Sequence, residues 1–285
     1  MLYEKLPETL WHYTSIENAV KILTSMTLRA SHCYSMNDPG EWIYSLNVVD
    51  NFLRAQGDNS KIESTTKLVH KLNETCTNRD CFVVSFCAQK DALSLWRGYC
   101  HNGGCAIGFN TQKLREVIED INSSSLMDLS QWQLRKCLYY NEDGDNNEIQ
   151  EIISKLTQIF MKSAISEEEI FGANGLLSSE LIDLCMLIKH HAYQEEKEWR
   201  LFDEPHRGQI HLDSTKPYLE IRFRPRELAT FVTEVNLAPN STQEDRHQIE
   251  IAKFQLRNEL FRSDPNTNFS PSLFQISQSQ LPYRN

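Results

Sequence analysis

The sequence predicts an α+β fold built on a curved, mixed, mostly antiparallel sheet, with helices inserted before and between its strands. Three observations carry this. Leu10 to Thr14, Cys81 to Cys87 and Cys105 to Phe109 have the length and composition of strands. Segments of helical period stand between and after them, following Ser15, from Glu41 to Leu53 and from Gln243 to Phe261. Neither a Gly-x-Gly-x-x-Gly turn nor a P-loop is present, so a redox dinucleotide domain or an ATPase has no signature here. The 285 residues suit one globular domain over 1–285, with a helical insertion at about 148–193 and a tail at about 263–285 that is irregular except for Ser272 to Ile276. No internal repeat and no long Pro-rich linker divides it.

Composition narrows the classes. Hydrophobic residues make up 40% and there are five tryptophans, which is enough for a packed core. The net charge of -10 argues against a generic nucleic-acid coat but leaves room for a local basic groove. No apolar run reaches the ~20 residues that span a bilayer, and Met1 to Pro7 lacks an apolar signal core, so a cytoplasmic protein is expected. The eight cysteines then read as reduced thiols, with Cys87, Cys105, Cys137 and Cys185 as small buried hydrophobes. Cys76, Cys81, Cys100, His101 and Cys105 contain no Cys-x-x-Cys pair, and no metal site is expected.

In chain order, Trp11, Tyr13 and Thr14 favour a strand, and Ser15 caps a helix bearing Ile16, Ala19, Val20, Ile22 and Leu23. His12 therefore stands at a strand-to-helix turn, either half-buried or facing a ligand. Thr27 to His32 alternates, so Arg29 and Ser31 share a face. Asn37 and Asp38 lie in the turn Met36-Asn37-Asp38-Pro39-Gly40-Glu41, where Asp38 is either a helix cap or a ligand contact. Gln56 to Asn78 is a polar linker around an amphipathic helix. Ser85 is polar inside an apolar strand. Trp96 and Tyr99 lie three apart on a helix from Asp91 to Tyr99, as a core pair or as a platform for a planar ring. Gly103-Gly104 ends that helix. Leu134 to Tyr140 reads as one strand, Glu148 to Tyr193 as largely helical, and Tyr218 to Phe223 and Thr230 to Leu237 as strands.

Glu196-x-Glu198-Trp199-Arg200 is the chemically richest stretch. If Trp199 begins a strand, Glu196 and Glu198 project the same way. Arg200 beside them offsets the repulsion of two carboxylates, and a carboxylate held ionised stabilises a cationic, oxocarbenium-like sugar. The plainer alternative is a solvated acidic turn.

His-Tyr-Thr-Ser at positions 12 to 15, Asn37-Asp38-Pro39 with Glu41, Ser85-Phe86, Leu95-Trp96 with Tyr99, Gly104 to Phe109 and Glu196-x-Glu198-Trp199-Arg200 together resemble the bacterial domain-of-unknown-function family 2971. A more distant resemblance is to the ADP-ribosyltransferase superfamily, which joins a His on the first strand, an aromatic residue or Ser on a middle strand and a Glu on a late one. That resemblance implies an ADP-ribosyltransferase-like fold and an enzyme that consumes NAD, cleaving the nicotinamide glycosidic bond. It implies transfer to a macromolecular acceptor, protein or nucleic acid, by a toxin or phage-defence effector with a regulatory partner. His12 takes the ribose, Glu198 is catalytic and Glu196 handles the acceptor. The Tyr13 backbone and the Thr14 hydroxyl hold the nicotinamide amide, while Ser85, Tyr99 and Tyr140 compete for the middle-strand position. Arg29, Ser31, Asn37, Asp38, Trp96 and Arg200 complete the binding set. A groove formed by Arg29, Arg97 and Arg200 would favour a nucleic-acid acceptor. The competing class is a non-enzymatic module that binds a nucleotide or a protein.

Overall fold

The computed structural model describes residues 5–36, 40–55, 81–100, 103–124, 131–162, 176–203, 210–264 and 273–282. Asn37, Asp38 and the Gln56 to Asn78 linker lie outside them. Strand β1 (Thr9–Thr14) leads into helix α1 (Ile16–Ser25), and Ser15 caps it as expected, its Oγ accepting from the Asn18 N–H. Ile16, Ala19, Ile22 and Leu23 form the buried stripe of α1. Strand β2 (Thr27–His32), helix α2 (Gly40–Ala55), strand β3 (Phe82–Cys87), helix α3 (Leu93–Tyr99) and strand β4 (Cys105–Asn110) stand where periodicity puts them. Helix α4 (Thr111–Ser124) follows directly on β4.

Three expectations change. The strand expected over Leu134 to Tyr140 is two, β5 (Gln133–Lys136) and β6 (Leu138–Tyr140). It breaks at Cys137, whose N–H donates to the Glu198 carbonyl at 2.9 Å while β6 turns away. The helical insertion contains α5 (Asn147–Lys162) and α6 (Leu176–Leu187), but Ile188–His190 is strand β7, paired in parallel with β6, and His191–Glu196 is a 3-10 turn. Pairing with a neighbouring strand overrides local helical preference there. In the tail, the periodic stretch expected at Ser272 to Ile276 overlaps strand β12 (Gln275–Gln278), which runs parallel to β11 (Val232–Leu237). The remaining elements are β8 (Glu198–Asp203), β9 (His211–Asp213), β10 (Lys216–Arg222), α7 (Pro225–Phe231) and α8 (Gln243–Ser263). Helix α7, with Pro225 in its first turn, takes the start of the strand expected from Thr230.

The fold is mixed α and β around a mostly antiparallel open sheet. Its order is β12-β11-β4-β1-β3-β2-β10-β9, with β8 and then β5 on the other edge of β3. Strand β8 covers the whole of that edge, from Phe82↔Asp203 to Cys87↔Glu198. The opposite edge is shared: β2 pairs at Ser31↔Val83 and His32↔Phe82, and β1 only at Trp11↔Cys87. The sheet therefore forks between β1 and β2, and Ser85 lies at the fork. The approach of β4 to the turn after β1 requires Gly104, where a Cβ would stand 2.7 Å from the Thr14 carbonyl oxygen.

Alternation assigns the two faces of β1, β3 and β8. Leu10, Phe86, Val84, Trp199 and Leu201 belong to the main core, which Ile249, Ala252 and Leu256 of α8 and the buried stripe of α1 complete. The opposite face carries Trp11, Tyr13 and Cys87, packed with Leu95 and Trp96, and further along Val83 and Phe202, packed with α2, α5 and α6. Among the described residues, no helix is long and apolar enough to cross a membrane.

Candidate functional site

The arrangement with most chemistry is an ion cluster on that second face, where β8 begins. Lys197 turns the chain into the strand with φ of 42°, and Glu198, Arg200 and Phe202 then point together. Arg200 is 2% exposed. Its Nε donates to Glu198 Oε1 at 3.0 Å, its Nη2 to Glu41 Oε2 at 2.7 Å and Glu198 Oε2 at 3.2 Å, and its Nη1 to the Met186 carbonyl at 2.5 Å. Lys189, on β7 of the separate β6/β7 pair, donates to Glu198 Oε2 at 2.6 Å and Glu196 Oε2 at 2.7 Å. It also approaches Glu41 Oε1 at 3.3 Å and lies 5.0 Å from the centre of the Tyr193 ring. Three carboxylates thus share two cations drawn from α2, β7, the 3-10 turn and β8.

The two carboxylates at the start of β8 are pushed apart in acidity. Burial of Glu198 favours the neutral form, but Arg200 and Lys189 together outweigh it and hold the carboxyl at about 2. Burial is also the largest influence on Glu196, and there it prevails over Lys189, so this carboxyl is raised. Burial opposes the charge of Lys189, yet Glu198 and Glu41 raise its pKa overall. Tyr139 supports the cluster by accepting the Glu198 N–H on its hydroxyl at 2.8 Å. A cavity of about 10 Å³, the size of one water, touches Glu41, Trp42, Met186 and Arg200, and the buried Trp42 Nε1 has no hydrogen-bond partner among the described residues.

His12 does not join this cluster. Because Trp11, Cys87 and Glu198 align across β1, β3 and β8, His12 points to the opposite face, with Phe86 and Trp199. Its Nδ1 lies 2.9 Å from the Ser85 carbonyl, which only accepts, so Nδ1 carries the proton and donates across the fork. Burial lowers its pKa and favours the neutral ring. The expected meeting of His12 and Glu198 is thus absent: the strands are neighbours, but an odd register step separates the side chains.

The other expected residues divide in the same way. Ser85 stands opposite Arg200 in the β3/β8 ladder, near the cluster. The Tyr13 hydroxyl donates to Gln89 O and accepts from Ala92 N–H, anchoring α3. Thr14 is buried, and its carbonyl accepts from Cys100 Sγ at 3.6 Å. Trp96 is fully buried, 4.7 Å from the Tyr13 ring and bonded to Asp91, whereas Tyr99 is 41% exposed. The pair is therefore not one platform, since α3 buries one ring and exposes the other. Tyr140 packs its ring on Tyr44 and Phe52. Arg29 pairs with Asp213 and covers the Tyr218 ring, and Ser31 lies beside Tyr218 in the ladder. Arg200 faces inward, so Arg29, Arg97 and Arg200 make no common basic groove. Lys189 and Tyr139 were not anticipated. A lysine directly after the apolar run Cys185-Met186-Leu187-Ile188 was the available signal for a buried cation.

The seven cysteines among the described residues are all buried, as expected of small hydrophobes. Burial pushes the Cys87 and Cys100 thiols up to about 11 and about 12, away from nucleophilic use. Among the described residues, no group of three or more His, Cys, Asp or Glu is placed to hold a metal ion.

No curated protein matches this chain, and no solved structure does. Residues 95–201, from α3 through most of β8, match the model of a family described as Protein of unknown function (DUF2971). That stretch includes Trp96, Gly104, Lys189, Glu196, Glu198 and Arg200, so the ion cluster lies largely within the part of the chain that is similar to this family.

Proposed function

We propose that the chain is an NAD-consuming enzyme of the ADP-ribosyltransferase type, with its chemistry at Glu198 and Glu196. The observation carrying this reading is the pair of neighbouring carboxylates, tied to one lysine and displaced in opposite directions from their ordinary acidity. Such a pair divides labour between a fixed charge and a proton acceptor. Ser85, which shares the face of Glu198 and stands opposite Arg200 in the β3/β8 ladder, gives the reading further support.

In the proposed reaction, the bond between the ribose anomeric carbon and the nicotinamide nitrogen breaks, and nicotinamide leaves with the bonding pair. Ionised Glu198 faces the positive charge that develops on the sugar. An acceptor nucleophile bonds to the anomeric carbon and gives its proton to Glu196. Lys189 must swing away from Glu198 for the sugar to approach, and its bond to Glu196 gives it a second carboxylate to remain on. His12 acts here as a positioning group that ties β1 to the Ser85 carbonyl.

A second reading is a non-enzymatic module that binds a nucleotide or a protein. It is favoured by the 5% exposure of Glu198 and the saturation of its carboxylate by Arg200 and Lys189. Nicotinamide release from NAD, with and without cell lysate as a source of acceptors, separates the two. The enzyme reading expects release by the parent protein and a loss of about 100-fold or more in Glu198→Gln, as for removal of a transition-state charge partner. NAD binding without release supports the module. Neither binding nor release removes NAD from the account.

A further inference from the structure

Helix α8 buries one apolar face and carries three large apolar residues on the opposite face, where His247 and Asn258 stand among them. Ile249, Ala252 and Leu256 are buried against the main core, and Leu260 on the same face is buried as well. On the far side, Ile251, Phe254 and Phe261 are 45%, 52% and 48% exposed. At about 100° per residue these three fall within an arc of roughly 80°, nearly opposite the buried stripe. The core does not need them, and two exposed phenylalanines on one stripe cost solubility in an isolated chain.

The charges beside this stripe indicate what covers it. On one flank lie Glu250 and Arg257, two turns apart, and on the other Glu244 and Arg262. Among the charges nearest the stripe, each flank thus has its acid towards the helix N-terminus and its base towards the C-terminus. Arg246, further round on the first flank, turns to the Ile276 carbonyl, and Glu259, further round on the second, pairs with Arg262. A parallel partner would set like against like, whereas an antiparallel copy inverts the order. With a two-fold axis near Phe254, that ring meets its own copy, Phe261 faces His247 of the second copy, and Glu250 faces Arg257. Glu244 comes within reach of Arg262, since an offset of two residues is only ~3 Å of helix. Every pairing occurs twice, as an isologous contact requires. Arg257 already lies over the Phe254 ring, 5.1 Å from its centre, so one side chain joins the apolar stripe to the charged flank. Arg262 pairs with Glu259 in an exposed contact, a weak bond that is readily exchanged.

We infer that α8 is a homodimerisation helix, packed antiparallel against α8 of a second copy of this chain about Phe254. The dimer leaves the Glu198 cluster, on the other face of the sheet, outside the contact.

The test is the solution mass of the full chain by sedimentation, at concentrations up to ~100 μM, where a contact of micromolar Kd is largely formed. The parent is expected at twice the chain mass and Phe254→Glu at the monomer mass, with an unchanged circular dichroism spectrum. Glu250→Arg alone is expected to weaken the dimer at least tenfold, because it sets Arg against Arg. Combining it with Arg257→Glu is expected to restore the dimer. The two positions are too far apart along one helix to touch, so recovery reports the contact between copies. A parent that stays monomeric overturns the inference and leaves the stripe to a different partner. A dimer that survives Phe254→Glu, or a double exchange that fails to recover, overturns it as well.

Discussion

The two faces of β1, β3 and β8 use polar groups in opposite ways. On the main-core face, His12 is a single imidazole among Leu10, Phe86 and Trp199, joined to the fold by one bond to the Ser85 carbonyl. On the other face, Glu198, Arg200, Glu196, Lys189 and Glu41 satisfy one another in a closed network. The difference teaches that neighbouring strands do not make neighbouring side chains. One residue of register decides which face a group serves, and at the Trp11↔Cys87 pairing that step puts His12 and Glu198 on opposite sides.

The comparison predicts unequal costs of disruption. Arg200→Met removes the more deeply buried cation and leaves Glu198 and Glu41 to Lys189, and an expected loss of about 3–5 kcal/mol should appear in urea unfolding. Lys189→Met leaves Glu198 its arginine, so the loss should be smaller, about 1.5–3 kcal/mol. His12→Ala removes one neutral hydrogen bond at the fork, and about 1 kcal/mol is expected. A His12→Ala loss equal to that of Arg200→Met would erase the distinction between the faces.

The pH dependence sharpens it. Glu198 falls from the ordinary carboxyl value of 4.5 to about 2 on folding, so between those values the unfolded chain binds a proton that the folded chain does not. Its contribution to stability is therefore complete above 4.5 and is lost as the pH drops towards 2. The raised Glu196 works the other way, and the net slope is the difference. His12, lowered by burial from 6.5, makes folding less favourable once the pH falls below that value. Unfolding free energies across pH 2 to 8 should thus lose the acidic step in a folded Glu198→Gln protein and the step below 6.5 in His12→Ala.

Much of the local fold was legible in the residues. The Ser15 cap, the alternation from Thr27 to His32 and the apolar run ending at Cys87 each specify structure within a few positions. What was not legible depends on distant pairing. Ile188–His190 reads as a continued helix until β6 lies beside it, and Cys137 reads as mid-strand until its N–H turns to Glu198. The candidate site divides along the same line. Glu196, Glu198 and Arg200 lie close in sequence and are legible together, while Lys189 and Glu41 arrive from other elements. The placement of His12 follows from inter-strand register, which no local pattern encodes.

The most direct measurement is nicotinamide release from NAD by the parent, Glu198→Gln and His12→Ala proteins, each at a temperature where unfolding shows it to be folded. Release by the parent is expected, with a loss of about 100-fold or more in Glu198→Gln and activity within about tenfold of the parent in His12→Ala. Equal, near-complete loss in both variants would mean that the two side chains meet at one reacting centre, and no release by any of the three would contradict the assignment of glycosidic chemistry to Glu198.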